Sequence, residues 1–414
     1  GDAAIYPNEG LFVARTGALH AVHEPLAALP PETRTLFYVT AQEQFPARPM
    51  QSYEGIVYRG YYMADSTTAT IETSRMPLST VWFAWLSILG GVPTALYRTP
   101  FFALLSLLLL YAMARRFFAL PVALVVTTLS TVSYPQIYFG RISYAEIFGQ
   151  FWTLAGILVA LRWIERRSPQ LLVLAYFFWA TTWAGRIDAL LLLPAAYLLL
   201  IYAALERDRR TLIAVGLFLP LLSALVYVGT NGAYAGATFE IQQWRWPWFG
   251  NALLALLLLA PVSTLIAWLW GRPLQAILIR FRAILHLVAF GLLAFIILWA
   301  TIPNPLRDAE NTRYYQEIIW YSSSYLTPLF YWLMLMGVGR LLIGGYNARQ
   351  LWLLALLYSL AAVFFYTYTS GRAYPVSLRR LASDLLPVMT LLIGFALAPP
   401  SAQMDSVVAR FWQC

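Results

Sequence analysis

The chain has 414 residues, 60% of them hydrophobic and only 11% charged, with a mean hydropathy of +0.64; this excludes an ordinary soluble domain and indicates a polytopic membrane protein. All 28 basic residues are arginine and the formal charge is +9; a guanidinium keeps its charge and presents a planar donor fork suited to phosphate, and no nucleic-acid partner is expected. The single cysteine, Cys414, is the last residue, which excludes a disulfide framework and a thiolate metal site.

Residues 1–75 form the only long stretch not built for lipid. Glu9, in the string YPNEGLFVART from Tyr6 to Thr16, opens a segment (GLFVARTGALHAV) whose apolar residues recur at helical spacing. A carboxylate at the start of such a helix faces the positive end of its dipole, which favours the ionised form a base needs. Asp2 flanks the same turn, with Tyr6 between the two acids. His20 and His23, three apart on this predicted helix, share a face. With Glu24 they offer donors for a divalent cation, but the spacing is not that of a zinc-binding HExxH helix, and solvated histidines are the simpler reading. Asp65 and Glu72 are further acids able to fold back over the site.

A membrane crossing needs about 20 predominantly apolar residues. Met76 to Gly91 is apolar, short and closed by a glycine pair, which predicts a helix lying in or dipping into the interface. Eleven crossings are then expected: Thr94 to Ala114, Phe118 to Tyr134, Tyr144 to Trp163, Gln170 to Trp183, Ile187 to Ala204, Leu212 to Gly229, Asn251 to Trp270, Ala283 to Ile302, Leu326 to Ile343, Leu351 to Thr369 and Leu385 to Ala398. Because the chain opens in a polar stretch, one more helix is expected upstream. The division is an extracytoplasmic catalytic loop with interfacial helices over 1–93, a helical bundle over 94–399 and a cytoplasmic tail over 400–414.

Alternate connections hold fourteen arginines against four carboxylates, Glu165, Glu206, Asp208 and Asp405, and that side is cytoplasmic by the positive-inside rule. The other side has fourteen arginines against fifteen acids. Its turns carry Arg141, Arg186, Arg307, Arg313, Arg372, Arg379 and Arg380, which either snorkel and pair with Glu146, Asp188, Asp308 and Asp384 or hold an anion such as a lipid phosphate. Arg141 and Glu146, at the outer ends of consecutive spans, are the most informative pair, since charges there must meet each other or something bound. WRWPWF around Trp246 and IIWYSSSY around Trp320 read as aromatic belts, with stacking on a sugar ring as the alternative.

Several strings together resemble the GT-C superfamily of membrane glycosyltransferases, in particular the bacterial relatives of protein O-mannosyltransferases and of the aminoarabinose transferase, as in glycosyltransferase family 39. In NEGLFVAR, Glu9 and Phe12 fall where the family has its second acid and its aromatic. Asn8 stands where many members have the catalytic aspartate, so the base is Glu9 or Asp2. The run from Arg75 to Phe118 is similar to the family's proline-led interfacial helix, glycine break and arginine-capped span; FGRISYAEIFGQF and SLRRLASDLLPVM resemble later outer turns.

The resemblance implies an all-α bundle of about eleven visible transmembrane helices in a bacterial or archaeal inner membrane, with its active site outside. It implies a polyprenyl-phosphate sugar donor and an acceptor hydroxyl on a glycan, lipid or protein, transferred with inversion. Arg141, Arg372, Arg379 and Arg380 would receive the lipid phosphate, with Glu146, Asp65 and Tyr6 in support. Some relatives bind a divalent cation and others do not, so no metal is assigned. The competing readings are a transporter or flippase of lipid-linked glycans and an O-antigen ligase or polymerase.

Overall fold

The computed structural model describes residues 2–40, 43, 53–58, 60–73, 77–186, 192–216, 261–270, 273, 280–301, 313–344, 348–366 and 385–399. The chain is mostly helical, but its opening segment corrects the all-α expectation. Helix α1 (Asp2–Thr16) leads into five antiparallel strands, β1 (His20–Val22), β2 (Val39–Thr40), β3 (Gly55–Tyr58), β4 (Tyr61–Asp65) and β5 (Thr70–Thr73), ordered β1-β5-β4-β3-β2 in space. Helices α2 (Glu24–Ala27) and α3 (Pro31–Arg34) lie between β1 and β2. Successive strand residues face opposite sides, and Tyr61, Met63 and Ile71 form a small core with Leu26 and Ala69. Phe12 of α1 meets Tyr61 edge-on at 5.5 Å, docking the helix on the sheet. The buried Arg34 uses all three nitrogens, donating to the carbonyls of Ala27, Leu29, Ser66 and Thr67.

Helix α4 (Pro77–Leu96) is long and apolar enough to cross a membrane. It nevertheless breaks at Gly91, with φ +77° and ψ 174°, a backbone conformation that glycine adopts without steric cost. Arg98, just beyond its end, reaches back to Ser79 near its start. The two ends therefore lie side by side, and α4 folds back at Gly91, where the sequence predicts that an interfacial helix ends. Trp85, Ile88 and Leu89 are exposed along it, an apolar flank suited to an interface.

The bundle follows: α5 (Arg98–Phe117), α6 (Leu120–Val132), α7 (Tyr134–Arg141), α8 (Glu146–Arg166), α9 (Pro169–Gly185), α10 (Leu193–Leu205), α11 (Pro261–Trp270), α12 (Arg282–Thr301), α13 (Arg313–Gly344), α14 (Ala348–Tyr366) and α15 (Leu386–Leu397). Among the described residues four helices, α4 included, have the length and composition of a crossing, or five when α6 and α7, bent by 58°, count as one. Eleven were expected, without α4; α10, α11 and α15 are apolar but shorter than a crossing among the described residues. The expected crossing Leu212 to Gly229 falls largely outside the described residues. Helix α8 is the central post, buried over most of its length, and hydrogen bonds from Trp352 Nε1 to the Ala195 carbonyl (2.9 Å) and from the Tyr176 hydroxyl to that of Ala196 (2.7 Å) tie α14 and α9 to α10.

At one end of the bundle Glu165 of α8 accepts from Arg116 of α5 and, at 2.7 Å, from Arg349 of α14. Arg116 and Arg349, two of the arginines that the sequence assigns to one side, meet there. All three side chains are partly exposed, so Glu165→Gln should cost about 1 kcal/mol, and less at high salt; unfolding midpoints in detergent at two ionic strengths measure this. The opposite end carries α1, α4 and the sheet.

Close packing of α13 on α15 depends on Gly337. A Cβ there would collide with the Leu392 carbonyl and lie 3.3 Å from the Ala396 nitrogen, both main-chain atoms that cannot rotate away. Gly337→Ala should therefore cost about 2 kcal/mol or more. Gly339→Ala, whose Cβ meets only the Phe290 ring at 3.4 Å, should be nearly neutral in the same thermal unfolding measurement.

Candidate functional site

Helix α1 starts at Asp2 and contains Pro7, so Glu9 is the eighth of fifteen residues and not the first. The expected help from the helix dipole, which is confined to the first turn, therefore does not reach it. Tertiary packing positions Glu9 instead. Its side chain is fully buried, and one carboxylate oxygen, Oε2, accepts a hydrogen bond from Thr80 Oγ1 of α4 at 3.2 Å. The β3–β4 turn closes over the other oxygen. Gly60 has φ +97°, and a Cβ there would lie 3.3 Å from Glu9 Oε1 and 2.6 Å from Ile5 Cγ2, so only glycine lets the turn approach this closely. Burial pushes the neighbouring Tyr61 phenol well above its ordinary value, with Tyr58 and the Glu9 charge adding to the effect. Asn8 is exposed.

The residue before Thr80 holds a cation. Arg98 Nη1 donates to the Ser79 carbonyl and, at 3.0 Å, to Ser79 Oγ. The guanidinium is 1% exposed, and its carbon lies 5.7 Å from the Phe83 ring centroid and 5.9 Å from that of Phe148. Tyr6, one turn before Glu9 on α1, is within its electrostatic reach. Among the described residues, Arg98 Nε and Nη2 have no hydrogen-bond acceptor. A buried carboxylate and a buried guanidinium are thus gripped by consecutive residues of one helical turn. Sequence reasoning passes over Arg98 because it falls inside the expected Thr94 to Ala114 crossing; a lone arginine in an apolar run, costly unless met by a partner, was the available signal.

A second polar group lies at the start of α8. Glu146 is buried there, and Gln150, one turn on, exchanges amide hydrogen bonds of 3.1 and 3.0 Å with Gln136 of α7. Arg186, at the end of α9, is buried against Gly149. Phe148, between Glu146 and Gln150, is one of the rings beside Arg98, so this group adjoins the first.

The remaining sequence candidates are placed differently. Arg141 is exposed at the end of α7, and among the described residues no ion pair joins it to Glu146, so the two are not the closed pair their spacing suggests. Asp65 builds the β4–β5 turn: its oxygens accept from Thr67 N, Thr67 Oγ1 and Thr68 Oγ1, and these bonds hold its carboxyl down at about 2. His20 and His23 do not share a helix face, because α1 stops at Thr16; His20 is in β1, and His23 Nδ1 caps α2 by accepting from Leu26 N at 3.3 Å. Among the described residues no three His, Cys, Asp or Glu side chains are grouped to hold a metal ion. Arg372, Arg379, Arg380, the Asp2 side chain and the tail over 400–414 lie outside the described residues.

No known family matches this chain. No curated protein and no solved structure matches it either. The site's own chemistry therefore carries the reading. A carboxylate shielded from water can take a proton from a hydroxyl, and a buried guanidinium anchored on the preceding residue of α4 can stabilise negative charge. Both side chains are buried.

Proposed function

We propose that this chain is a polytopic membrane glycosyltransferase that moves a sugar from a polyprenyl-phosphate donor to an acceptor hydroxyl at the outer face of a membrane. The observation that supports it best is the joint burial of Glu9 and Arg98 on adjoining residues of α4. Glu9 belongs to the very string that carries the family resemblance. In the reaction Glu9 takes the proton of the acceptor hydroxyl as its oxygen attacks the anomeric carbon. The bond from that carbon to the phosphate oxygen breaks, the electron pair leaves with the lipid phosphate, and the proton stays on Glu9 until it passes to water. A leaving group this acidic needs no second acid.

The sheet end is read as extracytoplasmic because the arginine-rich connections are at the other end, the one marked by Arg116, Glu165 and Arg349. Among the described residues the buried charges, Glu9, Arg34, Glu72, Arg98, Glu146 and Arg186, sit at helix ends or on the opening segment and not midway along spans. That favours a transferase over a transporter, whose binding groups belong at the midplane.

The test is transfer of labelled sugar from polyprenyl phosphate by the purified full chain, offered glycan, lipid and protein acceptors, with Glu9→Gln and Asp2→Asn assayed in parallel. Loss of product with Glu9→Gln alone assigns the base. No product from the wild type, or wild-type transfer by both variants, ends the proposal.

A further inference from the structure

We infer that Arg98 is a phosphate site, with the Nε–Nη2 edge of its guanidinium gripping two oxygens of the donor's phosphate between α4, α5 and α8. Only the choice of a lipid-borne phosphate as ligand rests on the transferase reading.

Two of the three arginines buried among the described residues, Arg34 and Arg98, set the terms. Arg34 spends every nitrogen on main-chain carbonyls, which is how a purely structural guanidinium is normally satisfied. Arg98 does not follow that pattern, although it is the more deeply buried of the two. Its Nη1 is anchored on Ser79, while Nε and Nη2 find no acceptor among the described residues. Those two nitrogens form one edge of the planar group, and their N–H bonds point the same way. Such an edge matches two oxygens of one phosphate or carboxylate. A desolvated charge with half its donors unmet is kept in a fold only where a partner offsets it.

The surroundings fit the same role. Phe83 and Phe148 exclude water from the guanidinium, which strengthens its pull on an anion. The Ser79 anchor aims the fork in advance, so little side-chain freedom is lost on binding. Arg141, exposed at the end of α7, has none of these features.

The experiment measures binding, not turnover. The full chain in lipid nanodiscs is titrated with a polyprenyl phosphate, the matching polyprenol and inorganic phosphate, for wild type, Arg98→Lys, Arg98→Gln and Arg141→Gln. Wild type should prefer the polyprenyl phosphate to the polyprenol. Both Arg98 variants should lose about tenfold to a hundredfold in affinity for the phosphate form and nothing for the alcohol, while Arg141→Gln binds as wild type. Arg98→Lys keeps the charge without the fork and decides the matter should Arg98→Gln fail to fold. Unchanged affinity for the phosphate form in Arg98→Lys overturns the assignment, even where sugar transfer by the wild type has been established. A wild type that does not distinguish the phosphate from the alcohol, and ignores inorganic phosphate, overturns it too. Inorganic phosphate that binds as tightly as the lipid form, and is lost in Arg98→Lys, supports the phosphate site while removing the lipid donor.

Discussion

Glu9→Gln should lower the proposed sugar transfer by about 10²- to 10⁴-fold, the usual contribution of a positioned general base. Glutamine has the same length and volume, and its amide oxygen can still accept from Thr80 Oγ1, the bond that Glu9 Oε2 makes at 3.2 Å. The space under the β3–β4 turn stays filled, so Ile5 and Gly60 keep their places. What the substitution removes is the lone pair able to hold a proton. The unfolding midpoint, measured in parallel, separates loss of the base from loss of the fold. The loss should fall on kcat, with KM for the donor little changed, because the base acts on the acceptor's hydroxyl. Single-turnover transfer with the donor at saturation isolates that step. Were Asp2→Asn to abolish transfer and Glu9→Gln to spare it, the proton would be going to the start of α1 instead of its middle.

Much of the bundle could be read in advance, since apolar length and arginine caps mark helices whatever they pack against. The bend in α4 was visible in Gly90–Gly91, and the gathering of Arg116, Glu165 and Arg349 at one end follows from charge counting. The sheet was legible too, yet membrane composition hid it. GIVY and YYMAD sit either side of Arg59–Gly60, a two-residue turn of the hairpin type, and STTA separates YYMAD from TIET. Short strands inside a membrane-class chain carry a weak signal when nothing predicts what their inner face packs on, and here that partner is Phe12 of α1. The helical spacing of the apolar residues runs from Glu9 onward, whereas α1 starts at Asp2 and packs on α4 with Pro7 inside the helix. The site shows the same division: Glu9 can be picked from its string, but the burial of Glu9 and Arg98 against consecutive residues of α4 depends on Ser79 and Thr80 meeting residues 19 and 71 positions away.

Stability of the opening segment should fall as pH rises from about 4.5 to about 7, and Glu72→Gln should remove that slope. Alternation along β5 puts Ile71 in the small core and turns Glu72 to the other face, in register with His20 of β1 and Tyr62 of β4. Glu72 is nonetheless buried. Burial raises its carboxyl from the ordinary 4.5 to about 7, against the opposing pull of a hydrogen bond from Tyr53. Below the unfolded value the group is protonated in both states and contributes no pH dependence. Between the two values the unfolded chain releases the proton while the folded chain keeps it, so the native state loses ground with each step in pH. Above about 7 both states are ionised and the penalty is complete, at about 3 kcal/mol for a shift of this size. Glutamine has no proton to release and fits the same space. Thermal midpoints of the full chain from pH 4.5 to 8 should therefore coincide for wild type and variant at the acidic limit and diverge toward pH 8, with the variant the more stable. Parallel curves across the range would mean that Glu72 is ionised throughout, held by a partner that offsets its burial.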